Sequence, residues 1–221
     1  MKKILLLCTS FLLFNCAKKE ILLPQFEQTF SKEVTDFTET SFLYEESKDG
    51  VPEIDVQKNA LVSNTAWLFS IDKRLPLKLV VPELQMLQEK KLKKVEDVLK
   101  PNFFVYSNPV QEAVEYCEFT EVSFEKKTVE MASNAVGVQL QFNRDNQFKV
   151  NGLTFDEFPN YLDQSGLELA AFIKQKFPNQ KIELFLSFDE NLSFGDYVKD
   201  YMCLKKIEDS TIKVSNLQVI Y

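Results

Sequence analysis

The hydrophobic pattern of the chain contains one unit twice. In the later copy, the apolar run Ile182–Phe188 is closed by the polar residues 189–191, which is typical of a short buried strand that ends in a turn. Ser193 and Asp196 then have the spacing of a capping box, and apolar residues follow at helical spacing. The pattern therefore predicts a strand, a turn and a helix, in this order.

The earlier copy lies in the first half of the chain. Aligning Ser70 and Asp72 with Ser187 and Asp189 needs no gap over residues 68–87. The same alignment matches three further apolar pairs: Leu75 with Leu192, Val81 with Val198, and Leu87 with Leu204. This match indicates an internal duplication. Any unit of strand, turn and helix would share the outline, so a chance likeness is the alternative.

Local patterns predict the remaining elements of the first half. We expect a strand at residues 66–71, a helix from Pro82 to Lys94 with the proline in its first turn, and a strand at residues 102–106. Residues 25–46 fit either a helix or a strand. They are followed by a predicted turn, in which Gly50 breaks the polar run before Pro52.

The second half is predicted to run strand, strand, helix, strand, helix, strand. Thr154 and Glu157 form a second capping box, which predicts the start of a helix. Gly166 lies in the middle of this helix, which is either continuous or broken there. The predicted elements are, in order, an opening segment at residues 115–124, a half-buried strand at 136–142, a return strand at 148–150, a helical region at 154–177, the strand at 182–188, the helix after Ser193 and a last strand at 211–221.

Bulk composition limits the class of protein. With 45% hydrophobic residues and 20 Phe in 221 residues, the chain can build packed cores. The formal charge is -7, and without Lys2 and Lys3 it becomes -9, from 24 basic and 33 acidic residues. Such an acidic chain lacks the basic surface that nucleic acid requires, so we expect no nucleic-acid partner.

Candidate chemistry is sparse. The chain has no histidine, which excludes Ser/His and Cys/His nucleophilic systems and every metal site that contains histidine. Its five glycines are isolated, so the sequence has no phosphate-binding loop of the P-loop or dinucleotide kind. We therefore predict no catalytic residue, no metal and no cofactor.

The first 16 residues resemble a bacterial lipoprotein leader. Two lysines give a basic start, and the apolar run at residues 4–14 is too short to span a bilayer as a helix. The run ends in LFNC, which resembles a lipobox, the motif whose cysteine is lipidated and becomes the first residue of the mature chain. Cys16 is therefore the predicted lipid attachment site. The two residues before it are larger than usual, and a plain signal peptide is the alternative.

The remaining cysteines follow from this prediction. Cys8 would leave with the leader, so Cys117 and Cys203 would remain in an oxidising compartment. A bridge between them is one option. Cys203 falls in the predicted last helix, where a buried free thiol is the commoner state.

The predicted order of elements and its residues resemble the periplasmic domain of the ExbD/TolR biopolymer transport family. The resembling pieces are FNRDNQFKVNGLTFDEF, the strand that ends in SFD, the helix SFGDYVKDYMCLKK and the terminal STIKVSNLQVIY. They cover residues 136–221, and residues 66–108 more faintly through the repeat. The resemblance implies an α+β fold of two tandem modules, each a small mixed sheet with two helices packed on one face.

The resemblance and the leader together give the domain organisation. We expect a signal peptide at residues 1–15, a tether at 16–27, a first, divergent module at 28–110 and a second module at 111–221. Members of the family carry an N-terminal transmembrane helix with a membrane-embedded aspartate, whereas residues 4–14 here have no carboxylate. The motor role of that helix therefore does not carry over to this chain.

Acidic residues are the remaining site candidates. Asp72 and Asp189 stand at equivalent strand ends and could be ligands in a shared groove, but turn residues that bind backbone N–H groups are the simpler interpretation. The pairs Asp189 with Glu190 and Asp156 with Glu157 lack the spacing of a calcium loop. The aromatic run at residues 185–201 is better explained as core.

These inferences lead to one leading hypothesis of function. The chain is expected to be a membrane-tethered, non-enzymatic lipoprotein that faces the periplasm from the inner or outer membrane and serves as an interaction or scaffold component of an envelope assembly. Its partners would be the membrane, an envelope protein or peptidoglycan, and a second copy in a homodimer. The alternatives are a hydrolase that uses acidic residues only and a binder of an apolar small molecule between the modules.

Overall fold

The computed structural model describes residues 20–30, 33–57, 61–94, 98–126, 136–151 and 166–221. Within these residues, the chain forms two five-stranded sheets, each with parallel and antiparallel pairs, and three helices. The predicted α+β class is therefore confirmed.

The first sheet is built from the first half of the chain. Its elements are β1 (Phe37–Glu46), β2 (Pro52–Gln57), β3 (Ala66–Ile71), α1 (Leu77–Leu92), β4 (Asn102–Asn108) and β5 (Ala113–Glu118). The strand order is β2-β1-β3-β4-β5, in which β1, β3 and β4 are parallel and the two edge strands are antiparallel to their neighbours. All six residues of β3 are buried, as expected for a strand with parallel neighbours and both faces covered.

The second sheet follows. Its elements are β6 (Ser123–Glu125), β7 (Val136–Phe142), β8 (Phe148–Asn151), α2 (Leu167–Lys176), β9 (Ile182–Phe188), α3 (Phe194–Lys206) and β10 (Ile212–Ile220). The strand order is β8-β7-β9-β10-β6, in which only β8 is antiparallel to its neighbour. A register shift between Val214 and Gln218 marks a bulge in β10.

Four strands of each sheet correspond in order and direction. In both sheets, the first strand of an antiparallel hairpin lies beside a parallel strand, from which a helix crosses to the next parallel strand. Phe42 is opposite Ile71 in the first sheet, and Phe142 is opposite Phe188 in the second. Ile71 and Phe188 are also equivalent in the sequence alignment. The fifth strands differ, since β5 is antiparallel and β6 parallel to its neighbour.

The helix α3 lies between the two sheets. The ring of Tyr197 is 6.2 Å from Phe104 of the first sheet and 5.0 Å from Phe188 of the second, measured between centroids. Eight of the 13 residues of α3 are buried, which is the pattern of a helix enclosed on both sides. On the other side, Gln85 of α1 donates to the carbonyl of Phe124 in β6 at 2.8 Å. The two halves therefore share one core.

The chain before β1 is extended and contacts both faces of the first sheet. We call the described residues 20–30 and 33–36 the N-terminal strap. Leu23 and Val34 pack on the face that points away from the helices, whereas Phe26 and Phe30 pack on the face toward them. The sequence pattern of residues 25–46 fits either a helix or a strand. Their described part forms the end of the strap and then β1.

The helix α1 corrects one prediction. It begins at Leu77, so Pro82 lies inside the helix, on an exposed face, instead of in its first turn, and one hydrogen bond of the helix is lost there. Pro76 provides no side-chain cap. The first N–H groups of this helix are bonded from outside it, as described below, and no local sequence signal marks such a start.

The segment that was predicted to open the second module lies elsewhere. Residues 109–112 form the turn between β4 and β5, and β5 pairs with β4 in the first sheet. The chain passes to the second sheet only at β6, which pairs with β10. A short turn between two paired antiparallel strands forms a hairpin. A boundary between domains is instead crossed by few contacts, so residues 109–112 are not such a boundary.

Other predictions have mixed outcomes. The strands at 66–71, 136–142 and 182–188 are confirmed at those bounds. The helix α2 begins after Gly166, whose φ of 67° lies in the left-handed region, while Thr154 and Glu157 lie outside the described residues. Within the described part of the first half, a single helix accompanies the sheet, where two were expected.

Candidate functional site

The two strand–helix junctions, from β3 to α1 and from β9 to α3, pair with each other. The N–H of Leu77 donates to the carbonyl of Leu192 at 3.0 Å, and the N–H of Phe194 donates to the carbonyl of Leu75 at 2.7 Å. The repeat alignment exchanges these two bonds, because Leu75 corresponds to Leu192 and Leu77 to Phe194. The junctions are thus related by an approximate twofold axis.

A second pair of bonds has the same symmetry. The N–H of Lys78 donates to the carbonyl of Glu190 at 2.7 Å, and the N–H of Gly195 donates to the carbonyl of Lys73 at 3.0 Å. All four N–H groups belong to the first turn of a helix, where no partner within the helix exists. Each junction therefore completes the helix that starts at the other junction.

Gly195 allows the closest approach across this axis. A Cβ atom at this position would lie 2.9 Å from the Cβ of Lys73 and 3.2 Å from its carbonyl oxygen. Both distances are shorter than ordinary contact between such atoms. The equivalent position in the first junction is Lys78, so the two halves of the pair are not identical.

Asp72 fixes the first junction and the strap together. Its carboxylate is fully buried and accepts from the N–H of Arg74 at 3.0 Å and from the Arg74 guanidinium at 2.8 and 2.9 Å. It also accepts from the N–H of Leu22 at 3.1 Å. Burial alone would raise the pKa of Asp72, but these bonds outweigh it and hold the pKa below its ordinary value.

Asp189 has the corresponding role in the second junction. Its carboxylate accepts from the N–H of Asn191 at 2.7 Å, as an Asx turn requires. Ser193 then caps α3, since its Oγ accepts from the N–H of Asp196 at 3.1 Å. The interpretation of Asp72 and Asp189 as turn residues that bind backbone N–H groups is confirmed.

A buried polar cluster holds the strap to the edge of the first sheet. Glu115 of β5 accepts from the hydroxyl of Tyr106 at 2.6 Å, from Thr29 at 3.0 Å and from the amide of Asn108 at 3.0 Å. The Tyr106 hydroxyl accepts from the N–H of Phe30 at 3.0 Å. Burial opposes ionisation of Glu115, but the bonds to it dominate and lower its pKa. No local pattern predicts this cluster, because Thr29 and Phe30 of the strap lie more than 70 residues before the partners that they bond.

Lys91 is a second buried charge that the sequence pattern did not reveal. Its ammonium group, 1% exposed, donates to the carbonyl of Lys100 and to Asn102 Oδ1, both at 2.8 Å, and lies 4.8 Å from the centroid of the Trp67 ring. Burial lowers the pKa of Lys91 to about 8. Lys91 also lines a groove of about 270 Å³ between α1 and the segment that leads to β6.

The walls of that groove are chemically mixed. Amide and hydroxyl side chains stand beside a few apolar ones: Gln85, Gln88, Asn102, Thr120, Leu92, Leu99 and Phe124. The amides of Gln85 and Gln88 are bonded to backbone carbonyls of the segment opposite. The groove therefore differs in character from the Phe- and Leu-lined pocket that an apolar ligand would need.

Asp200 is a buried acid inside α3. It is 2% exposed, and its Oδ2 has no hydrogen-bond partner among the residues that the structure describes. Burial and the neighbouring charge of Asp196 raise its pKa well above the ordinary value, against smaller opposing effects of Lys199 and Asn146. Asp200 is therefore protonated over a wider pH range than an exposed aspartate.

Several predicted site residues fall outside this description. Cys16, Asp156 and Glu157 lie outside the described residues. Cys117 and Cys203 are both buried and form no disulfide, and burial raises the pKa of Cys117 to about 12. The prediction of buried, unbridged thiols is confirmed.

The described residues limit the chemistry of the junction site. None of their groups of His, Cys, Asp and Glu could hold a metal ion. None of their helices combines the length and apolar character that crossing a bilayer requires. Backbone groups at the junctions pair the two halves, while the carboxylates of Asp72 and Asp189 are bonded within their own turns and, for Asp72, to the strap. No protein-family model, curated protein or solved structure matches the chain.

Proposed function

We propose that the chain is a membrane-tethered, non-enzymatic periplasmic lipoprotein that acts as an interaction or scaffold component of a cell-envelope assembly. The observation that carries this proposal is the leader, with its basic start, its short apolar run and the lipobox-like end at Cys16. Each buried methylene of an acyl chain adds about 0.8 kcal/mol of membrane affinity, so several chains would hold the protein firmly.

The scaffold role rests on how the polar groups of the body are used. Asp72 is bonded to Arg74 and to the strap, and Glu115 to Tyr106 and its neighbours. Groups that are committed in this way stabilise the fold and leave little freedom for acid and base catalysis. This is why an interaction role is preferred to a hydrolase that uses acidic residues.

We further infer that the two halves are divergent copies of a module that resembles the ExbD/TolR periplasmic domain. Support comes from the matched order and direction of four strands in each sheet. Within the described residues, the outer edges of β2 and β8 have no strand partner. A free edge can add a strand from another chain, so these edges offer a route to a protein partner or to a homodimer.

Metabolic labelling tests the anchor. Cells that express the native chain, Cys16→Ala or Cys8→Ala are grown with a radiolabelled fatty acid. The native chain and Cys8→Ala should carry the label, because Cys8 lies in the leader, whereas Cys16→Ala should carry none. Equal labelling of Cys16→Ala, or an unlabelled native chain, would sink the lipoprotein proposal.

Two measurements test the scaffold role. Chemical crosslinking of intact envelopes should recover a specific protein with the native chain, or the purified body should pellet with peptidoglycan. If neither association is found, the interaction role must be abandoned even when the anchor is confirmed.

A further inference from the structure

The strap joins the rest of the protein at one end of the strands of the first sheet. The N–H of Leu22 donates to Asp72 Oδ2, and the carbonyl of Leu22 accepts from the N–H of Lys73 at 2.7 Å. Two residues later, the carbonyl of Pro24 accepts from the N–H of Ser107 at 2.9 Å. Lys73 follows β3, and Ser107 lies at the end of β4. The chain is therefore fixed at the carboxyl ends of these two parallel strands, which we call the carboxyl edge.

Only a short length of chain separates this fixed point from the predicted lipid. From Cys16 to Leu22 there are six residues, which span at most about 21 Å when fully extended. The strands themselves are of similar length, since six or seven residues of β3 or β4 rise about 20 to 23 Å. The anchor can thus leave the carboxyl edge by no more than about one strand length.

The carboxyl edge carries exposed apolar side chains, as does the opposite edge where β3 and β4 begin, so the tether and not the apolar surface sets the expected orientation. Val51 in the turn after β1 and Val110 in the turn after β4 are 58% and 64% exposed, and Leu22 is 37% exposed. The exposed charges there are of both signs, Lys48 and Lys78 against Glu46, Asp49 and Glu112, and Arg74 is paired with the buried Asp72. The edge therefore has no basic cluster that would attract it to anionic headgroups, and the tether decides its position.

From these observations we propose that the carboxyl edge of the first sheet is the surface that faces the phospholipid headgroups of the membrane in which Cys16 is anchored. The inference rests on the proposed lipoprotein function and adds to it the orientation of the body. In this orientation the amino edge, where β3 and β4 begin, faces away from the membrane. The surface most distant from the lipid is then the one that an envelope partner can reach.

Four exposed valines provide a matched test. Val51 and Val110 lie at the carboxyl edge, whereas Val62 and Val98 precede β3 and β4 at the amino edge and are 45% and 74% exposed. Each is changed singly to cysteine in the full, lipidated chain and labelled with a small fluorophore. Cys117 and Cys203 are buried and should not react, and Cys16 is occupied by the lipid.

The labelled chains are reconstituted in phosphatidylcholine vesicles, with and without lipids that carry a nitroxide on the headgroup. Quenching at Val51→Cys and Val110→Cys should exceed that at Val62→Cys and Val98→Cys by at least about twofold, because the edges lie about 20 Å apart. Inserting ten Gly and Ser residues between Lys19 and Glu20 should remove this difference, since the anchor then no longer restricts the body.

Each outcome decides between the proposals. Equal quenching at all four positions, or stronger quenching at the amino edge, overturns the orientation while a mass spectrum of the lipidated N-terminus upholds the lipoprotein function. A mass spectrum without lipid overturns the proposed function and this inference with it. A difference that persists unchanged with the long insertion shows that the tether does not set the orientation, and also overturns the inference.

Discussion

Replacing Gly195 by alanine tests the close pairing of the junctions. In a helix, Ala is favoured over Gly by about 1 kcal/mol, so the change would stabilise α3 if space were available. The new Cβ would instead lie 2.9 Å from the Cβ of Lys73 and 3.2 Å from its carbonyl oxygen. Relief of such overpacking costs about 1 to 3 kcal/mol, and lengthening the bond from the Gly195 N–H to Lys73 would add to this loss.

We therefore expect Gly195→Ala to lower the free energy of unfolding by about 1 to 2 kcal/mol in urea titrations of the chain from residue 17 onward. Lys78→Ala is the matched control, because Lys78 holds the equivalent position and already has a Cβ atom. Its effect should stay within about 0.5 kcal/mol, as for most surface substitutions. A gain in stability for Gly195→Ala, of the size that helix propensity predicts, would refute the pairing.

Three further changes probe the buried polar groups. The folded-state pKa of Lys91 is lowered to about 8, so above that pH the unfolded chain binds one proton more than the folded chain, and the free energy of unfolding rises with pH. In denaturant titrations from pH 8 to 9.5, Lys91→Met should lack this rise. Tyr106→Phe should cost about 1 to 3 kcal/mol and speed proteolysis of the strap, whereas Tyr116→Phe, on the opposite face, should do neither. Asp200 has a raised folded-state pKa, so its contribution falls as pH rises above about 4; Asp200→Asn should gain on the native chain between pH 4 and 7 in thermal melts, and a constant difference would contradict the burial argument.

Local pattern was sufficient for the elements that lie wholly within one stretch of chain. The strand Ile182–Phe188 was predictable because a run of apolar residues ends at polar turn residues. The start of α3 was predictable because Ser193 caps it through the N–H of Asp196. Asp72 and Asp189 could be assigned to turns for the same reason, since each binds an N–H two residues further on.

Elements that depend on distant residues were not predictable in this way. The start of α1 has no side-chain cap, and its first N–H groups are bonded by Leu192 and Glu190, more than 100 residues away. The cluster around Glu115 joins the strap to two strands, and each member alone is an ordinary polar residue. The prediction also assigned β5 to the wrong sheet. A strand that follows a turn can pair with the strand before it or join a different sheet, and the local sequence does not distinguish the two.

The repeat suggests two modules, but the contacts favour one cooperative unit. A single half would leave one side of its long helix open, and Tyr197 would lose its contact with Phe104 of the first half. Each half would also leave N–H groups of its helix start without partners, at about 1 to 3 kcal/mol for each group that remains buried. The strand β6 also connects the two sheets, because it follows β5 of the first sheet in sequence and pairs with β10 at the edge of the second. The approximate twofold axis therefore marks an interface that stabilises both halves, and we expect them to unfold together.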